Sequence, residues 1–120
     1  MTSVISLRLP AVLERAIRET AVYAKRTLPN LIGPILEHSI GGKYDFLALN
    51  DAPQPLDAKL DVRLPQQLAT RLRAESLRLN ISISVYSRVI LYAYFTRRLV
   101  FLQVEGRYTL AENHEQKKSA

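Results

Sequence analysis

The chain has 120 residues, 48% of them hydrophobic and 23% charged, a balance that excludes a disordered polymer and fits one folded domain. It contains no cysteine, which excludes disulfides and thiolate chemistry. Its net charge of +6 favours a polyanionic partner without identifying one.

No apolar run approaches the roughly 20 residues of a membrane span, because arginines interrupt the longest one, residues 85–101. Arg8 and Pro10 also break any signal-peptide pattern near the start. We therefore expect a cytoplasmic protein without a membrane partner. The chain begins almost directly on its first predicted strand, which is compatible with a fragment of a longer protein.

Residues 1–40 form the first predicted unit. Residues 3–9 alternate apolar and polar side chains, which predicts a strand. Pro10 suits the first turn of a following helix, since the missing N–H is not needed there. Thr27 stands where it can cap a second helix, and Gly41-Gly42 ends that helix.

Residues 41–55 form a predicted connector. Its centre, residues 43–49, is expected to be a short strand that pairs with residues 104–110 in a small extra hairpin. Its end, residues 50–55, has the composition of a turn or an extended linker.

Residues 56–102 form the second predicted unit, which carries eight basic and three acidic residues and so most of the positive charge. Its strand runs into a helix at Pro65, and Asn80 stands where a left-handed residue would end that helix. The last helix is expected to continue to about Phe101. Residues 103–120 are a C-terminal extension.

The two units are copies of each other. Ile5-Ser6-Leu7-Arg8-Leu9-Pro10 returns as Leu60-Asp61-Val62-Arg63-Leu64-Pro65, offset by 55 residues. Such a period sets the fold, and here it predicts two strand–helix–helix copies that bury each other's apolar faces. Residues 1–120 are therefore expected to form one domain, mainly α-helical.

The pattern resembles the ribbon-helix-helix DNA-binding family. The second copy matches at Val62-Arg63-Leu64-Pro65, Leu68, Arg71-Leu72, Asn80, Ser82, Ser84, Arg88 and Leu91. The first copy matches more loosely, because Gly33 replaces the helix arginine and Pro29 replaces the second serine. The resemblance covers about 80 of the 120 residues. It implies that the two strands pair as a two-stranded antiparallel ribbon within one chain, an intrachain pseudo-dimer, whereas family members are usually homodimers.

Double-stranded DNA is the partner that the resemblance implies, with the ribbon in the major groove. Alternation gives the outward, base-reading residues as Ser6, Arg8, Lys59, Asp61 and Arg63. The competing interpretation is the solvated face of an ordinary hairpin.

Phosphates are expected to bind where the second helices of the two copies begin. The candidates are Thr27, Ser82, Ser84 and Arg88. Plain helix capping explains the hydroxyl residues equally well, and Arg88 is also compatible with a simple surface charge.

Asp61 departs from an otherwise basic reading face. A carboxylate in the groove is repelled by phosphates unless it meets a donor, so Asp61 either pairs with Arg63 or Arg8, accepts a bond from cytosine, or weakens base reading on its side. Because Ser6 occupies the matching position, the DNA site is expected to be non-palindromic.

Duplicated members of the family imply an accessory role in T-DNA or conjugative plasmid DNA processing and transfer, alongside a relaxase. The alternatives are a plasmid-encoded transcriptional repressor, an antitoxin-like protein-interaction module, or a preserved fold that no longer reads DNA. No enzyme activity, cofactor or small-molecule substrate is expected, since no catalytic arrangement or phosphate-binding glycine loop is present. His38 and His114 lack other ligands at suitable spacing, so no metal site is expected.

Overall fold

The computed structural model describes residues 1–49 and 55–113. In this part of the chain five helices accompany two separate two-stranded antiparallel sheets. The elements, in order, are β1 (Thr2–Leu9), α1 (Ala11–Tyr23), α2 (Leu28–Ser39), α3 (Phe46–Leu49), β2 (Ala58–Pro65), α4 (Gln66–Arg78), α5 (Ile83–Phe95), β3 (Leu99–Val104) and β4 (Arg107–Glu112). A strand–helix–helix order therefore occurs twice, as the repeat predicts.

The ribbon consists of β1 and β2, which pair antiparallel from Thr2 opposite Pro65 to Leu9 opposite Ala58. Its inner face carries apolar side chains such as Leu7 and Leu60, each 1% exposed. Strict alternation places the polar residues on the other face, because successive side chains of a strand point to opposite sides.

Prolines precede the first helix of each unit, and left-handed residues follow it. Pro10 and Pro65 stand immediately before α1 and α4. Asn80 follows α4 and has a φ of 60°, which confirms the predicted left-handed residue. Lys25 occupies the matching position after α1 and has a φ of 56°.

Helix α5 is the centre of the core. It packs against the ribbon, α1, α2, α3, α4 and β3, and five of its apolar side chains are fully buried: Tyr86, Val89, Ile90, Leu91 and Ala93. Helix α2 packs beside α5 and also against β4. The two copies therefore share one core, and neither has a complete core of its own.

A buried hydroxyl network joins the two copies. The hydroxyls of Ser39 and Tyr86 are 2.6 Å apart, and Tyr44 donates to the carbonyl oxygen of Ser39 at 2.6 Å. Burial raises the pKa of the Tyr44 and Tyr86 phenols, because the interior disfavours their charged forms. The network therefore consists of neutral groups at ordinary pH.

The predicted pairing of residues 43–49 with residues 104–110 is wrong. Residues 46–49 are helix α3, and the hairpin joins β3 to β4 through Glu105 and Gly106, whose φ values are 53° and 79°. Two left-handed residues form the tight turn that matches strand twist, so the local turn decides the pairing. Lys43 makes only an isolated bridge to Ala111.

Helix α5 also ends earlier than the expected Phe101. Arg97 adopts a φ of 63°, and the backbone N–H of Arg98 returns to the carbonyl oxygen of Ala93 at 2.8 Å. This left-handed termination frees the following residues to form β3. Most of the predicted turn at residues 50–55, and His114, lie outside the described residues.

Candidate nucleic-acid interface

The outward face of the ribbon brings together all five predicted base-reading residues. Arg8 lies opposite Lys59, and Ser6 lies opposite Asp61. Arg63 lies opposite Val4, which is 47% exposed and belongs to the same face. Alternation along β1 also places Val4 on this outward face. Val4 is apolar and was not among the predicted base-reading residues.

The repeat and the strand register agree. A shift of 55 residues carries Ser6 onto Asp61, its own cross-strand partner, and carries Arg8 onto Arg63. The same shift relates Val4 to Lys59, so the pair at one end of the ribbon corresponds to the pair at the other end. Within the ribbon, the strand register is therefore symmetric about the pair formed by Ser6 and Asp61.

The two ends of this face differ in charge. One end carries two cations, Arg8 and Lys59, whereas the other carries Arg63 beside the apolar Val4. Asp61 makes no ion pair within the described residues, so the suggested pairing with Arg8 or Arg63 is not found. The carboxylate stays exposed at the centre of the ribbon.

Thr27 and Ser82 both act as helix caps. The Thr27 Oγ1 atom accepts from the backbone N–H of Asn30 at 3.3 Å, and Ser82 Oγ accepts from Val85 N–H at 3.1 Å. These caps occupy equivalent positions in the two copies. In α5 the N–H groups of Ile83 and Ser84 lie beyond the reach of the cap, and such groups favour anions. In α2 Pro29 has no N–H, so Leu28 supplies the corresponding group.

Ser84 makes a different contact from the predicted cap. Its Oγ atom accepts from the backbone N–H of Arg8 at 3.4 Å, which links the start of α5 to the outer edge of β1. Pro29 occupies the equivalent position in the first copy and has no hydroxyl to offer. Ser84 therefore connects the reading strand to a candidate phosphate site in one half of the molecule.

Arg88 is a half-buried cation near the start of α5. Its Nε atom is buried and has no hydrogen-bond partner among the described residues. Burial lowers the pKa of the guanidinium because desolvation disfavours its charge. The equivalent residue in the first copy is Gly33, which is buried with Leu64 and Leu68 nearby.

Other chemistry finds little support in residues 1–49 and 55–113. No cluster of three or more histidine, aspartate or glutamate side chains suited to a metal ion occurs there. No helix in these ranges is long and apolar enough to cross a bilayer.

No known protein family, curated protein or solved structure matches this chain. The site must therefore be interpreted from its own geometry.

Proposed function

We propose that the chain is a duplicated ribbon-helix-helix protein that binds double-stranded DNA with a sequence preference. In this proposal the ribbon enters the major groove, which is wide enough to admit two strands. Ser6, Arg8, Lys59, Asp61 and Arg63 contact base edges. Thr27, Ser82, Ser84 and Arg88 hold the flanking phosphates.

The observation that carries this proposal is the exposed polar face of a two-stranded ribbon built from repeat-related strands. Three of its residues, Arg8, Lys59 and Arg63, are cations without an ion-pair partner in the described parts of the chain. Unpaired cations on a narrow ribbon fit a polyanion better than they fit an internal structural role. The helices that Thr27 and Ser82 cap carry backbone N–H groups in their first turns, of the kind that position phosphates.

Within this class, the particular task that we propose is that of an accessory factor in T-DNA or conjugative plasmid DNA transfer, alongside a relaxase. This step depends on the resemblance to duplicated members of the family, including proteins that enhance T-DNA transfer from tumour-inducing plasmids. A transcriptional repressor would use the same DNA-binding surface at a promoter. The location of the preferred sequence, beside a transfer origin or border or within a promoter, separates the two.

Binding to labelled duplex DNA at several salt concentrations tests the DNA-binding proposal. We expect the affinity to fall steeply with salt, since a bound cation releases condensed counterions with a logarithmic slope of about 0.9 per phosphate contact. The variant Arg8→Ala/Arg63→Ala should lose about tenfold or more in affinity for the preferred site, because one arginine–guanine pair contributes about 1–3 kcal/mol of discrimination.

The matched control is Arg15→Ala/Arg107→Ala, which removes the same charge from two exposed positions outside the ribbon. It should keep the sequence preference and lose only a small part of the affinity. Equal losses of DNA affinity in both variants would show that the ribbon acts only as a nonspecific basic surface. Absence of binding by the unaltered protein would favour the protein-interaction alternative.

A further inference from the structure

The outward face of the ribbon contains an exposed valine. Val4 is 47% exposed, and its partner across the ribbon is Arg63. On the inward face of β1, Ile5 and Leu7 are 3% and 1% exposed and belong to the core. Because successive side chains of a strand point to opposite faces, Val4 points away from this core. Its side chain is therefore accessible to whatever the ribbon binds.

The neighbours of Val4 on this face carry little charge. Pro65 lies diagonally across the ribbon from Val4, and Thr2 is the next outward residue along β1. Both are exposed. Arg63 is the cationic side chain in this group of four residues. This end of the ribbon therefore presents an apolar surface beside a single guanidinium group.

An apolar side chain on this face has one complement in the major groove. Every base pair presents hydrogen-bonding groups there, and thymine alone adds a methyl group, on its C5 atom. The Val4 side chain has no polar atom, so it forms no hydrogen bond with a base edge or a phosphate. In a ribbon that enters the major groove, Val4 therefore favours thymine.

The spacing across the ribbon places this thymine beside a guanine. Directly opposed residues of an antiparallel pair have Cβ atoms about 4.5–5.5 Å apart. Successive base pairs are separated by roughly 3.4 Å along the helix axis. Val4 and Arg63 therefore reach neighbouring base pairs, and arginine pairs with the O6 and N7 atoms of guanine.

We propose that Val4 contacts the C5 methyl group of a thymine next to the guanine that Arg63 binds, and that the preferred DNA site has this thymine at one end only. The proposal rests on the proposed function, since it names a base that the DNA-binding ribbon selects. The other end differs because the repeat places Lys59 at the position of Val4. Lys59 lies opposite Arg8, and both side chains favour guanine.

A thymine contact at one end fixes the direction in which the chain lies on DNA. Val4 and Lys59 are at opposite ends of the ribbon. In the reversed orientation Lys59 would meet the thymine methyl group, and a strongly hydrated ammonium group gains little from that contact. Specificity for one direction therefore comes from the mismatch as well as from the valine contact.

Deoxyuridine substitution tests the thymine contact with the unaltered chain. Selection from random duplex DNA first identifies the preferred site. Each thymine of that site is then replaced by deoxyuridine, which lacks the C5 methyl group and keeps every hydrogen-bonding group. We expect one replacement, beside a guanine near one end of the site, to weaken binding about fourfold, which is the effect of one methyl group lost from an apolar contact.

Variants of the chain connect this effect to the valine. Val4→Ala should bind the thymine and deoxyuridine duplexes nearly equally, because the methyl group then has a much smaller apolar partner. The matched control is Val12→Ala, since Val12 is 63% exposed on α1 and lies outside the ribbon. This control should keep the full difference between the two duplexes. Thermal unfolding identifies any variant that fails to fold.

Two results would overturn the thymine contact while DNA binding stands. One is a preferred site in which no deoxyuridine replacement weakens binding. The other is a Val4→Ala variant that keeps the fourfold difference between the duplexes. Failure of the unaltered chain to bind any duplex DNA would instead overturn the proposed function together with the thymine contact.

Discussion

The two strand–helix–helix units have the same order of elements, but they carry different residues near the start of their second helices. Near the start of α5, the Ser84 hydroxyl accepts a hydrogen bond from the ribbon, and Arg88 is a half-buried cation. The first copy has Pro29 and Gly33 at these positions, where neither can do the same. Two strand–helix–helix units in one chain can carry different residues at matching positions, whereas a homodimer must use the same residue twice.

The largest expected contrast lies in the core. Ile35 and Ile90 are equivalent residues and are 2% and 0% exposed, which makes them a matched pair. Truncation of a buried isoleucine costs about 2–5 kcal/mol. We expect Ile90→Ala near the top of this range and Ile35→Ala nearer the bottom, because α5 packs against more elements than α2 does.

Chemical denaturation with parallel fluorescence and circular dichroism measures both free energies of unfolding. Equal losses would show that the copies contribute symmetrically to the core, despite the central position of α5. A smaller loss for Ile90→Ala than for Ile35→Ala would contradict our assignment of α5 as the central helix.

The hydroxyl network gives a second contrast, since Tyr86 in the second copy corresponds to Leu31 in the first. The folded state raises the pKa of Tyr86 and Tyr44, whereas unfolded tyrosine ionises near pH 10. Their contribution to stability is therefore present below about pH 10 and is lost as pH rises above it.

Tyrosinate absorbance during an alkaline titration checks this sign. Two of the six tyrosines should ionise only as the protein unfolds, and Tyr86→Phe should remove one of them from that late phase. Ionisation of all six tyrosines before unfolding would contradict the effect of burial. Tyr23→Phe is the control, since Tyr23 is 92% exposed and lies outside the network, so this variant should leave the late phase unchanged.

The ends of the ribbon offer a third contrast. Val4→Lys would give the Arg63 end the same pair of cations that Arg8 and Lys59 form at the other end. Under the proposed function, the added cation should release up to one further condensed counterion when DNA binds, which steepens the salt dependence by up to about 0.9 in logarithmic slope. Val12→Lys adds the same charge on α1, at a 63% exposed position, and should change the slope less.

The smallest expected effect concerns Gly33. A Cβ atom there would meet Leu64 Cδ2 at 3.7 Å and Leu68 Cδ2 at 4.0 Å, both ordinary contacts. Glycine inside a helix is less favourable than alanine by roughly 0.5–1 kcal/mol, but Pro34 follows directly and disfavours helical backbone at a preceding residue that carries a Cβ atom. The two effects oppose each other, so Gly33→Ala should change the free energy of unfolding by less than about 1 kcal/mol. Thermal unfolding measures this change, and a larger loss would mean that the contact with Pro34 dominates.

The sequence predicted those features that local rules determine. Alternation and Leu-Pro steps identified both ribbon strands, and Thr27, Ser82 and Asn80 marked helix ends correctly. The pairing of the two strands was predicted from the resemblance to the ribbon-helix-helix family, and β1 and β2 do pair antiparallel. The five outward residues followed from the same alternation.

Features that depend on distant contacts were missed. The hairpin partner depended on where α5 ends, and that end requires a left-handed Arg97, for which arginine gives no signal. Glu105-Gly106 was the available clue, because glycine favours a tight turn between two strands. The bond from Arg8 N–H to Ser84 joins residues far apart in the sequence, so capping rules alone suggested a different role for Ser84.

Because β1 and β2 belong to one polypeptide, ribbon assembly is a first-order step of folding. A ribbon shared between two subunits dissociates on dilution, so its surface disappears when the protein is scarce. Here the surface persists at any concentration at which the chain stays folded. A few molecules per cell therefore suffice to present a complete ribbon.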